Sequence, residues 1–403
     1  MKKWIGLLAL AMLVAAPSER GFAQPGSPRR LSGETRSETF KATKGGTVSL
    51  SVNRGDVVVS VWNRSEVGVT VDGLSPDDVE VVQFSQSGGI IRVDFFPNGS
   101  RRSRDTRFRI DLPSDYKLEL KTGSGDVKVL GKVQGEVRVH SANGDLTLDD
   151  VSGKVDLSTS GGDIRTGKLG DTAYLKTSGG DIRVDDAGSE LDVRTSGGDI
   201  TIGNVGKWLD GNTSGGNILV GDVGGEARLT TAGGNIEVGR VQGGARMSTA
   251  GGLIRLGSAS GIVTASTAGG DLELYNITGS VDARTAGGDI VAEVNPKGTG
   301  KSSLVTAGGD IRLSIDPRAK ATIEARIRIE STSVKWRSGN NKSKYKSTVR
   351  EFDIQSTFKA DQYEADEGRG EIRATYLING GGDRIWLETS YGSIEVRELM
   401  QGK

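Results

Sequence analysis

The chain has 403 residues, with 61 glycines, 8 prolines, no cysteine and one histidine, and its 52 lysines and arginines balance 52 aspartates and glutamates. Glycine at this level argues against a large helical or α/β enzyme, because each one costs a helix about 1 kcal/mol relative to alanine. Low proline without a three-residue period excludes collagen, zero cysteine excludes disulfides, thiol catalysis and cysteine-held metals, and balanced charge gives no general electrostatic reason to bind nucleic acid or an anionic membrane.

The first residues carry an address. Lys2 and Lys3 precede an apolar stretch from Ile5 to Ala16, 12 residues long and too short to span a bilayer. Phe22-Ala23-Gln24 offers a cleavage point, so residues 1–23 read as a signal peptide; Ala16 is a second such point. No cysteine follows to carry a lipid, and no later run of 18 apolar residues exists, so the mature chain is expected to lack a transmembrane segment. The expected location is exported: periplasmic, cell-surface associated or extracellular. Residues 24–112 hold alternating runs, Val57 to Trp62 and Ile90 to Phe96, which read as irregular β coils capping the amino end. Asn98 to Arg104 reads as an exposed turn or loop.

From 113 to 316 a repeat takes over. The phrase Thr-Ser/Ala-Gly-Gly-Asp/Asn-Ile recurs with its second glycine at Gly144, Gly162, Gly180, Gly198, Gly216, Gly234, Gly252, Gly270 and Gly288, always 18 residues apart. Looser copies stand at Gly125 and Gly309. With the residue after the glycine pair numbered 0, apolar side chains fall at +1, +3, +6, +10 and +12, as in Ile182, Val184, Ala187, Leu191 and Val193. That is period-two alternation on two short strands per repeat. Glycine is expected at the corners for its freedom to turn. The threonines at +14, including Thr177, Thr195 and Thr213, share parity with +10 and +12 and should face inward or line a corner, their hydroxyls bonding along the stack. One 18-residue unit cannot bury its own apolar face, but stacked units can. The fold class predicted is therefore all-β: a single-stranded parallel β-solenoid with about 18 residues per coil and irregular β caps at both ends. About eleven coils would make a rod on the order of 50 Å long.

After Asp316 the repeat stops. Residues 317–382 read as an insertion, part strand and part charged loop, basic from Arg337 to Arg350 and acidic from Asp361 to Glu371. Residues 383–403 return to the pattern and read as a closing coil. A cap is needed, since a bare solenoid end is an open sheet edge.

Four features together resemble the bacterial "putative adhesin" domain-of-unknown-function family. They are Val-Asn-Arg-Gly-Asp-Val at 52–57, the lead-in Ile110-Asp111-Leu112-Pro113, the serial Thr-Ser-Gly-Gly-Asp-Ile coils, and the closing Glu388-Thr389-Ser390-Tyr391-Gly392-Ser393-Ile394. The resemblance covers most of the mature chain. It implies an exported β-solenoid of the cell envelope with an adhesive role, and it brings no catalytic residues. The insertion at 317–382 departs from simpler members.

The column Asp163, Asp181, Asp199 is the candidate metal site, because stacked carboxylates could hold calcium, which takes six to eight oxygens. The calcium β-roll pattern Gly-Gly-x-Gly-x-Asp is missing, however, and Asn217, Asn235 and Leu253 interrupt the column. An acid that bonds turn amides, partly balanced by Arg165 and Arg183, is the preferred reading, with no metal and no cofactor. Glycan cleavage would need paired carboxylates with one raised pKa in a pocket. An exposed column supplies the spacing but no pocket, so no catalytic residue is assigned. Tyr174, Trp208 and Tyr275 fall in three different columns and read as isolated surface aromatics, while His140 reads as a corner residue. The function expected is a non-enzymatic, exported, adhesin-like binding or scaffolding protein of the bacterial cell envelope, a monomer whose partner is an unknown envelope or surface component, protein or polysaccharide, and not nucleic acid. The alternatives are a calcium-binding β-roll-like protein, a glycan-processing envelope protein and a regulatory role in envelope stress.

Overall fold

The computed structural model describes residues 33–97, 106–298, 300–329, 352–366 and 370–399. The expected signal peptide, the Asn98–Arg104 loop and the basic stretch from Arg337 to Arg350 lie outside the described residues.

Each repeat supplies one strand to each of two sheets. In one coil these are Ile182–Ala187 and Leu191–Arg194. Every apolar position predicted to face inward does so: Ile182, Val184, Ala187, Leu191 and Val193 are at most 2% exposed. The register is the 18-residue period itself. Ile164 pairs in parallel with Ile182, Ile182 with Ile200, Ile200 with Ile218, and so on to Ile290. The opposing sheet repeats the rule, with Leu191 on Leu209 and Leu209 on Ala227. Side chains of one column thus fuse into a continuous core running from Phe40 to Val396. The fold is a parallel β-solenoid, as its periodicity predicts.

Eleven regular rungs run from 117–130 to 302–315, and two further rungs stack at each end, fifteen among the described residues. At about 4.8 Å per rung the rod is about 70 Å long. The estimate of eleven coils fell short because the end rungs lack the glycine phrase.

Both ends are built out of chain order. The strands Thr47–Val52 and Asp56–Trp62 stack directly on the regular coil at 117–130. Ile90–Phe95 and Arg107–Pro113 come later in sequence yet form the rung outside them. At the far end, Asp383–Thr389 and Ile394–Glu398 stack on the last regular coil. The earlier segments Ala321–Arg328 and Ile354–Ser356 lie beyond. Antiparallel strands then cover most of the exposed edges: Glu66–Leu74 and Glu34–Lys41 on one sheet, Gln83–Ser87 on the other, and Glu371–Ile378 with Gln362–Asp366 at the far end. Neither sheet closes on itself. Each runs from one edge strand to another, and the edge Glu34–Lys41 is mostly charged or exposed, as an unpaired edge requires. Buried Phe95, Phe108 and Tyr116 plug the amino end of the core, the two phenyl rings 5.6 Å apart.

The glycines obey a different rule from the one expected. Of the second glycines in the phrase, only Gly125 and Gly144 have a positive φ, as does Gly55 in the degenerate amino-terminal copy. From Gly162 onward the constraint is close approach. A Cβ on Gly180 would lie under 3.0 Å from the carbonyl oxygen of Gly162 one rung below, and the same holds at Gly198, Gly216 and Gly392.

One inward-facing core hydroxyl among the described residues is left unpaired. Thr166 occupies the +3 column between Leu148 and Val184, is 4% exposed, and its hydroxyl has no hydrogen-bond partner. Thr166→Val is expected to stabilise the protein by about 1 kcal/mol, because it removes an unmade hydrogen bond at nearly constant volume. A lower denaturation midpoint for the variant in guanidinium would contradict this.

Candidate binding surfaces

The aspartate column is a hydrogen-bond ladder. The backbone N–H of Asp163 donates to Asp145 Oδ1, that of Asp181 to Asp163 Oδ1 and that of Asp199 to Asp181 Oδ1, each at 2.9 Å. Asn217 and Asn235 carry the ladder on with an amide oxygen in place of a carboxylate. Leu253 breaks it, and it resumes at Asp271. One oxygen of each candidate calcium ligand is therefore bonded to the next rung, and Asp163 Oδ2 also accepts from Arg165 at 2.7 Å. Among the described residues, no three histidine, cysteine, aspartate or glutamate side chains converge in a way that could hold a metal ion. A calcium titration to millimolar is expected to leave the melting temperature within about 2 °C, less than about 1 kcal/mol of stabilisation. A rise of many degrees would establish a calcium site.

A second ladder escaped the sequence reading. At +5, Lys168 N–H donates to Asp150 Oδ1, Asn204 to Asp186, Asp222 to Asn204 and Arg240 to Asp222, at 2.9–3.0 Å. The Asn204 backbone N–H holds the Asp186 carboxyl below its ordinary pKa, against a smaller opposing effect of burial. The signal was present: Asp150, Asp186, Asn204 and Asp222 keep the 18-residue spacing. Beside this ladder runs a groove of about 610 Å³, floored by Gly170, Gly188, Gly206 and Gly224 and walled by the alternating side chains of Asp150, Lys168, Asp186 and Asp222.

The outer faces of both sheets carry charge in files. Arg255 bridges Glu237 and Glu273 on neighbouring rungs, at 3.4 and 2.7 Å. On the opposing sheet Arg194 bridges Asp192 and Asp210, at 2.7 and 3.5 Å. Burial, and then the charge of Asp192, push the Asp210 carboxyl up. This carboxylate pair stands on a sheet face. Tyr174 and Trp208 are exposed on separate files, as expected. His140 is not at a corner. It lies on the strand Val137–Ser141, exposed, with Nδ1 2.6 Å from Ser158 Oγ on the next rung.

The inward threonines complete the ladder system. Thr195 Oγ1 donates to the carbonyl of Gly180 at 2.9 Å and accepts from Gly198 N–H at 3.3 Å, joining two rungs. The same pair of bonds recurs at Thr177, Thr213, Thr231, Thr249, Thr267 and Thr285.

The Toastrack DUF4097 family model matches residues 77–238 and 209–351, more than half of the chain. The chain belongs to the Toastrack family. Solved structures similar to this Toastrack chain include a "putative adhesin" of Parabacteroides distasonis ATCC 8503, with 14% identity, 71% of this chain and 94% of the other covered, and a TM-score of 0.26. A "putative lipid binding protein" of the same organism has 13% identity, coverage of 70% and 94%, and a TM-score of 0.22. A "putative cell adhesion protein" of Clostridium sporogenes ATCC 15579 has 8% identity, coverage of 91% and 100%, and a TM-score of 0.18. A search of curated proteins finds no match. No helix among the described residues of the Toastrack chain is long and apolar enough to cross a membrane.

Proposed function

We propose that this protein is a non-enzymatic, exported, adhesin-like binding or scaffolding element of the bacterial cell envelope. The observation that carries the reading is the regular exposure of charged files along the rod, such as Glu237–Arg255–Glu273, on a scaffold bonded rung to rung. Side chains repeated every ~4.8 Å offer many weak, equivalent contacts to an extended partner, and linked weak contacts gain strength together. The carboxylates of the main ladder accept backbone amides, so they serve the fold.

The test is co-sedimentation of the purified protein with washed bacterial envelopes. Saturable retention that weakens with salt is expected, with no release of reducing sugars from the envelope glycans. Protein left in the supernatant would end the binding reading, and sugar release would favour the glycan-processing alternative.

A further inference from the structure

The carboxyl-terminal cap holds a depression of about 350 Å³ on the outer face of the sheet, built from four adjacent strands. Register places Gln362, Thr375, Glu324 and Trp386 side by side in one row. The next row is Glu364, Arg373, Arg326 and Glu388. The Trp386 indole is half-buried, and its Nε1–H donates to Glu388 Oε2 at 3.1 Å, which fixes the ring. Arg64 lies over the ring of Trp62, 4.9 Å from its centroid, but among the described residues no cation covers Trp386 in that way.

Both arginines of the depression are already committed. Glu371 pairs with Arg326 and, at 2.8 Å, with Arg373. Glu371 offsets one of the two positive charges, and Glu324 and Glu364 line the same depression beside the arginines. Glu324 and Glu364 balance Arg326 and Arg373 in the lining, and both arginines already bond Glu371, so the depression offers no free cation to a phosphate, sulfate or uronate ligand. What remains is an aromatic platform beside a carboxylate, an amide and a hydroxyl. A pyranose ring matches that set: it offers an apolar C–H face to an indole and a rim of hydroxyls to planar donors and acceptors. The volume lies at the lower end of small-ligand sites, enough for one or two sugar rings.

We infer that this depression, centred on Trp386, binds a neutral or amine-bearing saccharide unit. The inference rests on the adhesin-like reading and supplies its ligand class. Isothermal titration calorimetry of the protein against cellotetraose, maltotetraose, mannotetraose, chitotetraose and chitosan tetramer tests it, with tetragalacturonate as the anionic comparison. At least one neutral or amino tetraose is expected to bind with a submillimolar to millimolar Kd, and tetragalacturonate is expected not to. Trp386→Ala and Gln362→Ala should each weaken binding at least tenfold, and Trp208→Ala should leave it unchanged. Gln362 is exposed on the edge strand, so its variant keeps the fold if the half-buried Trp386 variant does not. No binding across the panel, preference for the anionic tetramer, or binding that survives both Trp386→Ala and Gln362→Ala would overturn the inference. If envelope co-sedimentation persists in that case, only the sugar site falls; if it is lost as well, the adhesin-like reading falls too.

Discussion

Alanine at Gly180 is expected to destabilise the rod by about 3 kcal/mol, whereas alanine at its neighbour Gly179 is expected to be neutral or slightly stabilising. The two glycines are adjacent and differ in what lies beneath them. A Cβ on Gly180 would press into the carbonyl of Gly162, a backbone group that cannot swing aside without opening the rung. A Cβ on Gly179 would meet nothing closer than the Gly161 oxygen at 3.6 Å, an ordinary contact. Overpacking against backbone falls at the upper end of the usual range of about 1–3 kcal/mol. Gly179→Ala also reduces the freedom of the unfolded chain, a gain of up to about 1 kcal/mol where the conformation permits. Guanidinium denaturation of both variants reads the contrast directly. Equal midpoints would show that the rungs do not approach as closely as described.

Thr195→Val is the second large effect, at about 2–4 kcal/mol. The side chain is 5% exposed and its hydroxyl serves two rungs at once, giving to Gly180 and receiving from Gly198. Valine matches the volume and leaves both backbone groups unpaired in a buried place, each costing about 1–3 kcal/mol when its partner is removed. Thr195→Ser keeps the hydroxyl and loses one methyl, so it should cost only about 1 kcal/mol. A valine variant as stable as the wild type would show that the threonine file merely fills space. Its counterpart is Thr166, the same residue type on the +3 column with no partner, where valine is expected to help.

The regular rungs were legible because every position recurs: the +1 isoleucines and +14 threonines face where their parity sends them. The ends were not. Thr47–Val52 and Ile90–Phe95 are both alternating strands, and nothing local shows that the later one lies outside the earlier. The role of glycine was misassigned for a related reason. A close approach between residues 18 apart depends on the distance between rungs, and a turn signal in one repeat does not report it. The Trp386 depression draws on segments from 324 to 386 that share no motif and meet through one parallel and two antiparallel pairings.

Stacking of 18-residue rungs in register is tested most directly by spin-label distances along one outer file. The chain has no cysteine, so engineered pairs report without background. Positions 183, 201, 219, 237, 255, 273 and 291 pair successively in parallel. Labels on cysteines at 183 and 255 are four rungs apart, and labels at 183 and 291 six. Distances of about 19 and about 29 Å are expected, rising by about 4.8 Å for each rung. Separations that do not grow with the number of 18-residue steps would contradict the solenoid and everything built on it.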